Sequence, residues 1–102
     1  MSARETLFGA TVPTDTVEVG GESVEVRGLT TAGRDVIEFA VRSGDSFRPA
    51  LLRATCYVDG EPLFGPDDDV AAIPAHLVEP LVNAAIKVSA MTVDEAEELE
   101  GN

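Results

Sequence analysis

The sequence predicts a small α+β domain in which an N-terminal β-hairpin packs on a bundle of three to four helices. Valines alternate with polar residues on either side of Gly20-Gly21, the signature of a hairpin. Apolar residues recur at helical spacing after Thr31 and again after Pro74, which calls for helices that bury one face. A chain of 102 residues with 44% hydrophobic content can build one core but not two. The resulting division is an irregular N-terminal arm over 1–15, a single α+β domain over 16–91, and an acidic C-terminal helix or tail over 92–102.

Residues 1–15 mix Gly9, Pro13 and polar side chains without a sustained period. In the hairpin, Val17 and Val19 alternate with Glu18, and Val24 and Val26 alternate with Ser23, Glu25 and Arg27. Its valine face needs an apolar cover, and its backbone edges are open to another strand. The cover comes from a helix over Ala32 to Ser43, capped by Thr30 or Thr31 and stopped by Gly44. Val36, Ile37, Ala40 and Val41 form its buried stripe, which Phe39 thickens. A second helix has Pro49 in its first turn and Leu51, Leu52, Thr55 and Cys56 on its buried side.

Asp59-Gly60 is a strong turn dipeptide between Tyr57-Val58 and Leu63-Phe64, so this stretch is a small extended excursion or a tight loop. Asp67, Asp68 and Asp69 suit the positive end of a short helix that reaches about Ile73. Pro74 opens the main core helix, with Leu77, Val78, Leu81, Val82, Ala85 and Val88 or Ser89 on one face. Pro80 implies either a bend near His76 or a helix that starts only around Glu79. Thr92 and Glu95 offer a capping box for the last stretch, where five acids crowd with no base to compensate them.

Nineteen acidic residues against seven basic ones leave a net charge of −12. Such a surface repels nucleic-acid phosphates and anionic membranes, and favours partners rich in Lys and Arg. No run approaches the ~20 apolar residues of a membrane span, and no signal sequence is evident, so the expected location is the cytosol. Neither a cofactor nor a metal is expected. Cys56 has no disulfide partner and no zinc-ligand cluster near it, and the Asp67–Asp69 run lacks the alternation of a calcium loop. Gly9, Gly20-Gly21 and Gly28 form no phosphate-binding motif. Catalysis requires convergent groups, and His76 and Cys56 read instead as a capping or surface residue and a small core hydrophobe. A binding module is expected, not an enzyme.

The acidic end serves either solubility or the attraction of a basic partner. Val93 and Leu99 within it favour docking into a groove after long-range attraction.

The order of elements carries a resemblance. A hairpin ends in Val26-Arg27-Gly28-Leu29, a helix carries Arg34-Asp35-Val36-Ile37-Glu38-Phe39, and the stretch Leu51 to Phe64 follows. Then come Asp68-Asp69-Val70, the helix Leu77 to Val88, and the closing Asp94-Glu95-Ala96-Glu97-Glu98-Leu99-Glu100-Gly101-Asn102. This series resembles the tail assembly chaperones of long-tailed bacteriophages over nearly everything after about Thr16. Pro80 departs from the pattern.

The resemblance implies a non-enzymatic protein of the infected bacterium's cytoplasm that binds the tape measure protein and keeps it soluble while tail tube subunits assemble around it. It also implies absence from the mature virion and the short form of a pair whose longer member arises by ribosomal frameshifting. The tail tube protein, that longer form and further copies of this chain are additional expected partners. Val93, Glu95, Glu98 and Leu99 are the expected client contacts, with Glu18 and Glu25 on the outer hairpin face in second place. Two rivals stand beside this reading. One is a structural head–tail adaptor or tail completion protein retained in the virion, and the other is a host-directed inhibitor whose acidic surface mimics nucleic acid.

Overall fold

The computed structural model describes residues 2–91 and 93–100, the last helix with side chains from 95 onward. The hairpin forms as the alternation requires. β1 (Thr14–Val19) pairs antiparallel with β2 (Glu22–Arg27), placing Val17 opposite Val24. Gly20 and Gly21 make the turn at φ +59° and +84°, a left-handed geometry that glycine adopts without a Cβ clash. Val24 and Val26 are buried, and Val17 and Val19 pack half-buried against the same core.

The stretch left open between excursion and loop is an extended excursion. β3 (Cys56–Val58) joins β2 with Cys56 opposite Val26, and β4 (Glu61–Pro62) returns along β3. Asp59 and Gly60 form the turn, both at positive φ. The sheet order is β1-β2-β3-β4, so β3 closes one side of the hairpin and the outer side of β1 is a sheet edge.

The arm expected to be irregular is not so throughout its described residues. α1 (Ala3–Gly9) is a helix, and Thr14 and Asp15 already belong to β1. The Ser2 hydroxyl accepts from the Glu5 N–H at 3.1 Å and donates to the Glu5 carboxylate at 3.3 Å, a Ser-x-x-Glu cap. That signature stands in the sequence, but no apolar period follows it, because α1 buries no residue.

α2 (Thr31–Arg42) is capped by Thr30, whose hydroxyl accepts from the Gly33 N–H at 3.1 Å. It ends in a Schellman motif: Gly44, at φ +103°, donates to the Val41 carbonyl, and Asp45 donates to that of Ala40. Ile37 and Val41 are buried, but Val36 and Phe39, expected in the same stripe, are 66% and 71% exposed. Successive residues turn by ~100°, so Phe39 stands ~160° from Ile37 on the far side of the helix.

α3 (Phe47–Thr55) buries Leu51, Leu52 and Thr55 as its spacing predicts, and Phe47 as well. Cys56 is fully buried but has left the helix for β3. The three aspartates precede only a single 3-10 turn, Val70–Ala72.

α4 (Ala75–Val88) starts at Ala75 and not at Glu79, with Pro80 inside it. The carbonyl deprived of its donor is that of exposed His76, where water reaches it. Leu81, Val82, Ala84, Ala85 and Val88 are buried. Leu77, expected in this stripe, is 43% exposed, because the first turn from Ala75 to Leu77 overhangs the core.

α4 lies across β1 and β2 and against α3. The approach is tightest at Gly28, whose N–H donates to the Pro13 carbonyl at 2.8 Å. A Cβ there would stand 2.3 Å from the Val88 carbonyl oxygen and 3.3 Å from Pro13 Cδ. α5 (Val93–Glu100) closes the domain against α3.

Candidate functional site

The C-terminal helix holds most of the contacts expected from sequence, and two of its acids, Glu95 and Glu100, do have bases to compensate them. Those bases come from other helices. Arg34 of α2 pairs with Glu95, and within α2 with Glu38 at 3.5 Å, which also takes Arg42 at 3.4 Å. Arg48 of α3 pairs with Glu79 of α4 and with Glu100 at 3.1 Å. Hydrogen bonds to Glu100 and Glu79 raise the pKa of Arg48 above its ordinary value. Between these anchors Ala96 is buried, and Leu99 packs half-buried against the core.

Of the residues singled out in sequence, Glu95 and Leu99 thus make contacts within the chain. Glu98 is exposed and, with both of them, lines a groove of about 270 Å³ whose other wall is Arg34, Glu38, Val41 and Arg42 of α2. The side chain of Val93 and the Thr92 half of the Thr92–Glu95 cap lie outside the described residues. On the hairpin, Glu18 accepts from the Ser23 hydroxyl at 2.6 Å. Glu25 accepts from Arg27 at 2.6 Å, and the Arg27 guanidinium lies over the Tyr57 ring, 3.9 Å from its centre.

Two surfaces went unread in the sequence. One is the outer face of α2, where Val36 and Phe39 stand in solvent between exposed Asp35 and Ala32. The other is a groove of about 480 Å³ where the starts of α3 and α4 meet the 3-10 turn. Phe47, Leu52, Val70, Ile73 and Val78 give it apolar walls, and Asp45, Arg48 and Glu100 stand at its rim. Several of these residues fall outside any single helical stripe, so periodicity gave no sign of them.

His76 is exposed on the first turn of α4. Cys56 is inaccessible to solvent, and burial pushes its thiol pKa up, opposed by the weaker hydrogen bond with Thr55. Among the described residues, no three His, Cys, Asp or Glu side chains gather as a metal site. No described helix is long and apolar enough to cross a membrane. No protein family, curated protein or solved structure matches the chain.

Proposed function

We propose that the chain is a tail assembly chaperone of a long-tailed bacteriophage, which binds the tape measure protein and keeps it soluble during tail morphogenesis without catalysing a reaction. The observation that carries this reading is the outer face of α2. Ala32, Val36 and Phe39 follow at i, i+4 and i+7, the spacing with which one helix seats against another. Two large apolar side chains left in water on an otherwise acidic domain mark a contact surface. The −12 charge draws a client bearing Lys and Arg and keeps loaded complexes from coalescing. α5 lies along the same helix, so its exposed Glu98 brings acid to the flank of the apolar stripe. In this role the protein works in the host cytoplasm, is released before the virion is complete, and is the short form of the frameshifted pair.

The open edge of β1 favours a second reading, in which a neighbouring subunit adds a strand there and the chain stays in the virion as a head–tail adaptor or tail completion protein. Co-expression with the phage's tape measure protein tests the first reading. The full chain is expected to yield a soluble complex, and the double variant V36D/F39D, altered only at exposed positions, is expected to lose it. A version ending at Met91 asks whether α5 contributes. Absence of any complex, together with detection of the chain in purified particles by mass spectrometry, would establish the second reading instead.

A further inference from the structure

We propose that α1 is an exchange arm, whose Leu7 and Phe8 seat in the apolar groove between α3, the 3-10 turn and α4 of a second copy of this chain. The inference does not depend on the chaperone reading. It joins two features that are incomplete alone. Leu7 and Phe8 are 76% and 78% exposed on a helix that buries none of its residues. The groove, at about 480 Å³, is walled by Phe47, Val70, Ile73 and Val78 and has room for a phenylalanine and a leucine side chain.

Reach and placement point to an occupant from another molecule. Pro13 is held beside Gly28 and the Val88 carbonyl, at the C-terminal end of α4. The groove lies at the other end, around Ala75, which is 13 residues and ~20 Å back along the helix. Phe8 is only five residues from Pro13, at most ~18 Å in a fully extended chain and less while Gly9 remains helical. The span leaves no slack, and in the folded chain Leu7 and Phe8 are exposed and neither lines the groove, so the arm does not fill its own groove.

Charge agrees locally and resists globally. The Arg4 guanidinium rides 4.7 Å from the centre of the Phe8 ring, so it arrives with the arm at a rim that carries Asp45. Among the described residues, the Asp45 carboxylate forms no ion pair. Two copies of charge −12 nonetheless repel, so salt should strengthen this association, the reverse of its effect on a contact held by ion pairs. Each copy has one arm and one groove, so the contact closes as a reciprocal two-fold dimer or continues head to tail into rings or chains.

Sedimentation velocity on the full chain provides the test, with Phe8→Ser in the arm and Ala71→Arg in the groove. Both positions are exposed, and circular dichroism checks that the fold is kept. The wild type is expected to associate, more at ~0.15 M salt than at ~0.01 M. Each variant alone should associate at least ~tenfold more weakly. An equimolar mixture should recover a 1:1 dimer and stop there, because only the arm of the A71R chain and the groove of the F8S chain are intact. A wild type that stays monomeric at ~1 mM protein, a variant that associates as the wild type does, or a mixture with no heterodimer overturns the proposal.

Discussion

Arg34 in α2 and Glu95 in α5 form an ion pair across 61 positions of sequence, and this pair helps hold the acidic C-terminal helix on the domain. Both side chains are about a third exposed, so the pair stabilises by no more than ~0.5–1 kcal/mol. Arg34→Ala should leave the domain folded while loosening α5. Hydrogen exchange should then show faster exchange for the α5 amides than in the wild type, with the β2 amides unchanged. Raising salt in the wild type should shift α5 in the same direction.

Ile37 and Phe39 stand two residues apart on α2 with opposite fates. Ile37→Ala should cost ~2–5 kcal/mol, because it empties a buried position. Phe39→Ala removes the larger side chain yet should change stability by less than ~0.5 kcal/mol. Urea denaturation of the two variants compares them directly, and equal losses would mean that the outer face of α2 is covered in solution.

Gly28→Ala places a methyl group within 2.3 Å of the Val88 carbonyl oxygen. Backbone is in the way, not the tip of a flexible side chain, so β2 and α4 must move apart. A loss of at least ~1–3 kcal/mol is expected, read as a fall in the urea midpoint.

Ala90 ends α4 at φ +54°, where it donates to the Lys87 carbonyl and Met91 donates to that of Ile86. This is the Schellman geometry that Gly44 provides at the end of α2, but here with a Cβ. The left-handed conformation costs alanine ~1–2 kcal/mol, and glycine gives back part of that through its freer unfolded state. Ala90→Gly should raise stability by a net ~0.5–1 kcal/mol, seen as a higher thermal midpoint.

Cys56 is buried with its thiol pKa raised above an ordinary value of about 9. Below that value the thiol is protonated in both folded and unfolded chains and adds no pH dependence. Above it the unfolded chain loses the proton that the folded chain keeps, so the unfolded state binds fewer protons and stability falls as pH rises. Unfolding free energies measured on either side of pH ~9 should decline more steeply in the wild type than in Cys56→Ala. Under native conditions, alkylation of Cys56 should proceed no faster than unfolding.

Much of the fold was legible because its signals are local. The Gly20-Gly21 hairpin, the Thr30 cap, the Gly44 stop, the Asp59-Gly60 turn and the buried faces of α3 and α4 all depend on residues a few positions apart. The α1 cap was equally local, but Ser2 and Glu5 are followed by no buried stripe that would draw attention to them.

The sequence by itself determined the α+β class, the single core and the acidic net charge, because composition, period and turn chemistry act over short distances. Tertiary structure alone decided which apolar residues stay in water and which acids are paired. Val36 and Phe39 face outward because α3 and α5 take only one side of α2, and Arg34 and Arg48 bring α5 into the domain from far along the chain. The groove beside α3 exists only where three segments meet, and its distance from Pro13 follows from how α4 lies across the sheet. Such relations join residues separated by dozens of positions, and no local period records them.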